Sequence, residues 1–191
     1  MEKIKLKNIV REKRRGISPY KKGTGDNEYV LLKIGDLSPE GLIESSKNTI
    51  KVDESSQVKR ALVKKNDVLI SMIGSFKSLY ISEDIKNTLI SQNILALSLT
   101  DKIIAPQYLS FFLNSKKGIM AMQNMSKGTV QKSLSPQALL EIEIPVPSLD
   151  KQKKIIDILD KNQKTISSLK KEISIREDLA DSIFENIGGT L

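Results

Sequence analysis

The stretch ALLEIEIPVPSLDKQKKIIDIL, residues Ala138–Leu159, changes character along its length. Apolar residues alternate with glutamate up to Ile144, a pattern that predicts a half-buried strand. Pro145 and Pro147 lack an N–H group, and so they fit the end or the edge of a sheet. Ser148 is a residue type that caps helices, and a charged helical pattern follows it. The stretch therefore predicts a junction between a compact domain and a long helix.

The helical pattern continues as a seam, a row of positions spaced alternately four and three residues apart. This spacing is the heptad repeat of a coiled coil, and eight of the ten positions are apolar. The seam consists of Ile155, Leu159, Asn162, Ile166, Leu169, Ile173, Arg176, Ala180, Ile183 and Ile187. Asn162 and Arg176 cost stability at such positions but can fix the register. Gly188 and Gly189 predict the end of the helix.

The seam has two interpretations: a coiled coil with a partner helix, or a long helix packed on its own domain. The row is narrow and charged on both flanks, which favours the partner helix. A lone helix of this kind is only marginally stable in water. At 1.5 Å per residue, the seam spans roughly 50 Å.

The composition excludes several classes of protein. The chain has 191 residues, 39% of them hydrophobic, which is enough for one domain with a core and an appendage. No apolar run is long enough to span a membrane, and the charged N-terminus lacks an apolar signal core. We therefore expect a cytoplasmic protein with no membrane partner. Without cysteine or histidine, disulfides, the usual zinc sites and Ser–His catalysis are excluded.

The net charge of +8 is concentrated at the N-terminus. Residues 1–24 hold nine basic and two acidic residues, a balance of +7, whereas residues 149–191 hold eight of each. A basic patch at one end suits a polyanion such as DNA. The alternative is a frayed, solvated N-terminus, and charge alone does not separate the two.

The remaining patterns predict a mixed α+β domain. Strands are predicted at 29–35, 67–73 and 89–99, the last with an interruption at Gln92–Asn93. Helices are predicted at 106–114, with Pro106 in the first turn, at 119–125 after a break at Gly118, and at 136–140. The fold class is therefore one mixed domain followed by a long C-terminal helix.

No catalytic, metal or cofactor site is expected. The chain has no G-x-G-x-x-G loop, no phosphate-binding lysine loop and no N-P-P-Y or D-P-P-Y tetrapeptide for adenine methylation. Asp84 and Lys86 fit the D-x-K fragment of a metal-dependent nuclease. They lie in the polar stretch SEDIKNT rather than on a buried strand, so a nuclease is the less favoured, enzymatic alternative.

Several segments resemble, in their order, the specificity subunits of type I restriction-modification systems. The strongest is KGTVQKSLSPQALLEIEIPVPSLDKQKKIIDILD at 127–160, where a G-T-x-Q loop, a short helix, I-P-x-P and a glutamine precede the long helix. The others are KIGDL at 33–37, LVKKNDVLIS at 62–71, SQN at 91–93 and APQYLSFFL at 105–113. Together these segments cover nearly the whole chain.

The resemblance implies a target recognition domain at 1–148, a conserved spacer helix at 149–187 and a tail at 188–191. Full subunits of the family hold two such domains and two antiparallel helices, whereas this chain has one of each and resembles a half-subunit. The implied role is non-catalytic: the chain would bind double-stranded DNA and recruit methyltransferase (M) and restriction (R) subunits. By symmetry, we expect an antiparallel homodimer through the seam that recognises a two-part, palindromic site.

Candidate DNA contacts follow from general recognition chemistry, in which basic side chains bind phosphates and polar side chains contact base edges. The expected phosphate contacts are Arg14, Arg15, Lys21, Lys22, Lys127 and Lys132. The expected base contacts are Gln92, Asn93, Thr129 and Gln131. Carboxamides pair with adenine, and threonine can contact the thymine methyl group. Loops at 38–60 and 74–88 are expected to carry further specificity.

The same residues have structural interpretations. Thr129 and Gln131 can order the loop in which they lie, Gln92–Asn93 can form a polar kink, and Lys21–Lys22 can be part of a solvated loop. For the chain as a whole, the alternative is a truncated relic or recombination cassette that acts only through its coiled coil. The salt dependence of DNA binding separates the two, because phosphate contacts lose affinity as salt rises.

Overall fold

The structure, a computed structural model, describes residues 2–18, 25–39, 41–42, 48–100 and 102–188. The chain falls into two compact units, a domain at Met1–Ile156 and a helical unit at Asp157–Leu191. The sequence predicts a domain boundary at residue 148, just before the last helix. In the structure, about the first two turns of that helix belong to the domain. Among the described residues, no helix combines the length and apolar character that a membrane span requires.

The domain is built from short strands and helices in irregular order. The strands are β1 (Lys3–Lys5), β2 (Val10–Arg15), β3 (Asn27–Leu32), β4 (Leu37–Ser38), β5 (Gly41–Leu42), β6 (Thr49–Val52), β7 (Val68–Ser71), β8 (Ser78–Tyr80), β9 (Thr88–Ile90), β10 (Ile94–Leu99) and β11 (Glu143–Pro145). The helices are α1 (Ser56–Ala61), α2 (Pro106–Asn114), α3 (Lys116–Met125), α4 (Pro136–Leu140) and α5 (Leu149–Gly188). Short 3-10 turns cover Leu6–Asn8 and Ile34–Asp36. The prediction of an α+β domain followed by a long C-terminal helix is confirmed.

Two larger sheets organise the described part of the domain. The first has the strand order β2-β10-β7-β8, and all its neighbours are antiparallel. The second has the order β6-β3-β9, in which β3 is antiparallel to β6 and parallel to β9. The pairs β1-β11 and β4-β5 form two small ribbons. This topology places β2 at one edge of the first sheet.

The first sheet is covered on both faces. Leu95 and Leu97 of β10 belong to a core shared with α2, α3 and α4. Ile94 and Ala96 of the same strand belong to a second core, shared with the second sheet and α1. Burial on both faces explains why β7 and β10, VLIS and ILALSL, are apolar except for one buried serine each and lack the alternation of a half-buried strand.

The structure corrects two boundaries predicted from the sequence. The strand predicted at 89–99 is two strands, because the Gln92–Asn93 turn separates β9 from β10 and the two belong to different sheets. Gly118 does not end a helix but lies inside α3, where an added Cβ would come within 2.1 Å of the Phe112 carbonyl oxygen. The break falls at Ser115, whose hydroxyl accepts the Gly118 N–H and caps α3.

The N-terminal segment is part of the fold at 2–18, so the frayed interpretation does not hold for these residues. Strand β1 pairs antiparallel with β11, whose Ile144 is fully buried. Lys5 and Lys7 each donate a hydrogen bond of 2.8 Å to the Glu141 carboxylate. These bonds lower the pKa of Glu141 from 4.5 to about 2. Part of the N-terminal positive charge is therefore already paired within the domain.

Gln152 fastens the start of α5 to the domain. Its side chain is fully buried. The Oε1 atom accepts the Ala105 N–H at 2.8 Å, and Nε2 donates to the carbonyls of Ile103 and Pro147 at 3.0 and 2.8 Å. Ala105 is the N-cap residue of α2 and has no side chain that could cap it. One carboxamide thus caps α2 and holds the first turn of α5 against the same loop.

We expect the Gln152→Glu substitution to destabilise the domain. The introduced carboxylate can still accept the Ala105 N–H. It cannot donate to the carbonyl oxygens of Ile103 and Pro147, which therefore lose their hydrogen-bond donor. Leaving buried acceptors unsatisfied costs about 1–3 kcal/mol each, so the free energy of unfolding in urea should fall by at least about 2 kcal/mol at neutral pH.

Lys151→Gln provides the control, because Lys151 is exposed and the substitution changes the net charge by the same single unit. We expect this variant to stay within about 0.5 kcal/mol of the wild type. Equal stabilities for Gln152→Glu and Lys151→Gln would show that Gln152 does not fasten the helix.

Candidate nucleic-acid interface

The basic residues of β2 point to different environments. Along β2, alternate side chains lie on opposite faces of the sheet. Lys13 and Arg15 are exposed, whereas Arg14 is only 2% exposed. Arg15 Nε donates to the Gln92 carbonyl at 3.2 Å, which holds this guanidinium beside the turn between β9 and β10.

The Arg14 guanidinium forms an ion pair inside the domain. Its Nη2 donates to the Asp67 carboxylate, and its Nη1 donates to the Leu62 carbonyl. Asp67 is equally buried and also accepts from the Lys64 N–H at 2.8 Å and the Ser98 hydroxyl at 3.0 Å. Because its charge is buried and paired, we remove Arg14 from the expected phosphate contacts and assign it a structural role.

The Gln92–Asn93 turn is held by backbone hydrogen bonds. The Gln92 N–H donates to the Ile17 carbonyl at 2.7 Å, and the Asn93 carbonyl accepts the Met72 N–H at 2.9 Å. Both side chains of the turn are half-buried. The turn therefore has the predicted structural role as a break between strands, and it also leaves two carboxamides partly accessible.

The 127–132 loop is closed by the backbone rather than by its polar side chains. Lys127 and Ser133 exchange two hydrogen bonds, of 2.9 and 2.8 Å. Gly128 has φ +96°, and an added Cβ would lie 2.5 Å from the Gln131 carbonyl oxygen, so this position requires glycine. The four predicted contacts of the loop, Lys127, Thr129, Gln131 and Lys132, are all exposed. None of their side chains makes a hydrogen bond or an ion pair within the described part of the chain.

The structure brings the turn and the base of the loop together. Met72 connects them, since its N–H donates to the Asn93 carbonyl and its own carbonyl accepts the Leu134 N–H at 2.9 Å. The Gly74 N–H adds a bond to the Lys132 carbonyl at 2.8 Å. Together with Arg15 beside Gln92, this arrangement joins three separate stretches of sequence into one polar region, which we call the contact face: Lys13, Arg15, Gln92, Asn93 and 127–132.

An open cleft adjoins the contact face. It has a volume of ≈ 630 Å³ and is lined by Lys13, Arg15 and Gln92, together with Gln57 and Arg60 of α1 and Gln137 of α4. Residues 38–60 were expected to form loops that carry specificity, and α1 was not predicted from the sequence. Its signal was present in SSQVKRA, where Ser55 caps the helix and Val58 and Ala61 form its buried side.

Two predicted phosphate contacts, Lys21 and Lys22, lie outside the described residues. Asp84 and Lys86, the candidate nuclease fragment, are exposed. No group of three or more acidic, histidine or cysteine residues that could hold a metal ion occurs within the described ranges.

The helical unit carries an exposed apolar row. Ile166, Leu169, Ile173 and Ile183 of the seam are between 38% and 55% exposed in the single chain. Ile155 packs against the domain core. Arg176 forms an ion pair with Glu172, one turn earlier on the same helix, at 2.6 Å. The side chains of Ala180 and Ile187 lie outside the described residues.

Comparison with known proteins identifies the relatives of the chain. It is 24% identical over 144 residues to the type I restriction enzyme EcoBI specificity subunit of Escherichia coli, which is 75% of this chain and 30% of that protein. It is 30% identical over 83 residues to the type I restriction enzyme MjaIX specificity subunit of Methanocaldococcus jannaschii, 44% of this chain and 19% of that protein. The chain thus spans less than a third of these relatives.

Solved structures share its fold. The S subunit of a type I restriction-modification system from M. genitalium superposes with a TM-score of 0.60 at 18% identity, covering 95% of this chain and 44% of that one. The HsdS subunit from Thermoanaerobacter tengcongensis gives a TM-score of 0.60 at 18% identity, and the match covers 90% of this chain and 39% of that one.

The family profile described as "Type I restriction modification DNA specificity domain" matches residues 1–176, nearly the whole chain. The profile therefore covers the contact face, the Gln152 junction and most of the seam. The resemblance inferred from the sequence is confirmed: this chain belongs to the type I restriction modification DNA specificity domain family.

Proposed function

We propose that the chain is a non-catalytic DNA-specificity component, whose single recognition domain binds double-stranded DNA through the contact face. The observation that carries this proposal is the 127–132 loop, an exposed set of two lysines, a threonine and a glutamine whose side chains make no hydrogen bond or ion pair to the described residues. Lysine can bind phosphates, and threonine and glutamine can contact base edges. Arg15, Gln92 and Asn93 extend the same chemistry from the adjoining turn.

The seam supports a homodimer. Its exposed apolar residues repeat at heptad spacing on a helix of 40 residues, and a helix with such a row gains stability by burying it against another helix. Two chains paired antiparallel would place one recognition domain at each end and would recognise a two-part, palindromic site. The half-sites would lie at most roughly 15 base pairs apart, given roughly 50 Å of seam and 3.4 Å per base pair.

The helix also offers a surface for further subunits. Ile175 and Leu179 lie outside the seam, yet they are 58% and 59% exposed. They stand four residues apart and so share one side of the helix. Contact with an additional helix would bury them. Methyltransferase (M) subunits, and restriction (R) subunits through the assembled complex, are the partners that family membership favours.

Selection from a random duplex library at physiological salt tests the recognition function. The library is exposed to the full chain, alone and together with its methyltransferase subunit. We expect enrichment of a two-part site whose halves are inverted and equal. Enrichment of one short half-site would support DNA recognition but contradict the symmetric dimer. If no sequence is enriched even with the methyltransferase subunit, the alternative of a truncated relic that acts only through its coiled coil is favoured.

Sedimentation tests the dimer independently of DNA. We expect Leu169→Asp to shift the chain toward the monomer mass, because it places a carboxylate in the apolar seam. Ser168→Asp is the matched control: it introduces the same side chain at the neighbouring exposed position, outside the seam. A wild-type chain that stays monomeric at every concentration, or equal masses for the two variants, would contradict the seam dimer.

A further inference from the structure

The cleft beside the contact face has an unusual lining. Apart from the buried Arg14, three lining residues are cationic, Lys13, Arg15 and Arg60, and three carry carboxamides, Gln57, Gln92 and Gln137. Among the described residues that line it, none is acidic. These six come from four segments far apart in sequence: β2, α1, the β9–β10 turn and α4. Such a lining offers positive charge that binds anions, and carboxamides that can donate one hydrogen bond and accept another.

The fold supports each wall of the cleft. Helix α1 packs against β2 and β9, and its Val58 and Ala61 are buried in the second core. Gln57 and Arg60 are three residues apart and share another side of the same helix. On β2, Lys13 and Arg15 share one face because Arg14, on the other face, is held by Asp67. The cleft therefore has a rigid frame.

The two guanidiniums are already oriented. Arg60 Nε donates to the Ser56 carbonyl at 3.3 Å, and Arg15 Nε donates to the Gln92 carbonyl at 3.2 Å. In both residues the terminal nitrogens have no hydrogen bond to the described residues. A guanidinium fixed through Nε with its outer nitrogens available is suited to a phosphate oxygen.

We propose that the cleft is a second base-recognition site of the domain beside the 127–132 loop, in which Gln57, Gln92 and Gln137 contact adenine edges in the major groove while Lys13, Arg15 and Arg60 bind the flanking phosphates. This inference rests on the proposed function and adds Gln57 and Gln137 to the candidate base contacts and Arg60 to the candidate phosphate contacts. A small free anion would engage the cations alone. DNA engages both groups, because glutamine pairs bidentately with adenine N6 and N7.

The test uses the full chain with its methyltransferase subunit and the duplex selected by the wild type. Gln57→Ala and Gln137→Ala should each relax the preference for adenine at one position by about tenfold and leave the other positions unchanged. Arg60→Ala should weaken binding to all sequences and lower the slope of log affinity against log salt by about one. Gln123→Ala and Lys117→Ala, at exposed positions of α3 outside the cleft, are the matched controls and should leave preference and slope unchanged.

The outcomes separate this inference from the proposed function. If the wild type enriches a site but the three cleft variants keep its preference, its affinity and its salt slope, the cleft is not the recognition site. If Gln123→Ala relaxes the preference as strongly as Gln57→Ala, the effect is not specific to the cleft residues and the inference also fails. A wild type that enriches no sequence would overturn the proposed function itself.

Discussion

The buried ion pair between Arg14 and Asp67 is the interaction on which the arrangement of the domain depends. It joins edge strand β2 to the segment that leads into β7, and the Leu62 carbonyl and the Ser98 hydroxyl accept further bonds from the guanidinium. Two charges in an apolar interior are stable only when paired in this way, and removing one partner typically costs about 3–5 kcal/mol. The pair fixes which face of β2 turns inward, and it thereby fixes Lys13 and Arg15 on the opposite face.

The chain then passes from one sheet to the other directly after β2. Gly16 makes this passage possible, since an added Cβ would lie 2.1 Å from the Ile90 carbonyl oxygen. The next residue, Ile17, bridges to Ser91 beside β9, and its carbonyl accepts the Gln92 N–H. The position of the carboxamide turn is thus set by the same few residues that set the basic strand. The residues expected to bind phosphates and those expected to contact bases are therefore held in fixed positions relative to one another.

The sequence predicted the parts of this fold that depend on local pattern. Helices α2 and α4 begin at the prolines that marked them, and α5 follows the heptad periodicity to the predicted glycine. Long-range contacts were beyond such patterns. The run REKRR does not show which arginine will meet Asp67, because the partner lies 53 residues away. The role of Gln152 depends on a loop 47 residues earlier.

The contact face was predicted in part for the same reason. The G-T-x-Q loop and the Gln92–Asn93 turn are continuous stretches with visible polar chemistry. The cleft, in contrast, exists only because α1 and α4 fold against β2 and the turn. Gln57, Arg60 and Gln137 are unremarkable in the sequence, where each belongs to an ordinary amphipathic helix. Their common location follows from the topology alone.

We propose that the contact face and the adjoining cleft bind DNA through their positive side chains. The most direct test is the salt dependence of binding between the full chain and a short, unselected duplex. Five exposed cations border the face and the cleft: Lys13, Arg15, Arg60, Lys127 and Lys132. If each neutralises one phosphate, the slope of log affinity against log salt should be about −4.5 per recognition domain. A slope near zero, or no binding even at low salt, would contradict DNA binding through these positive side chains.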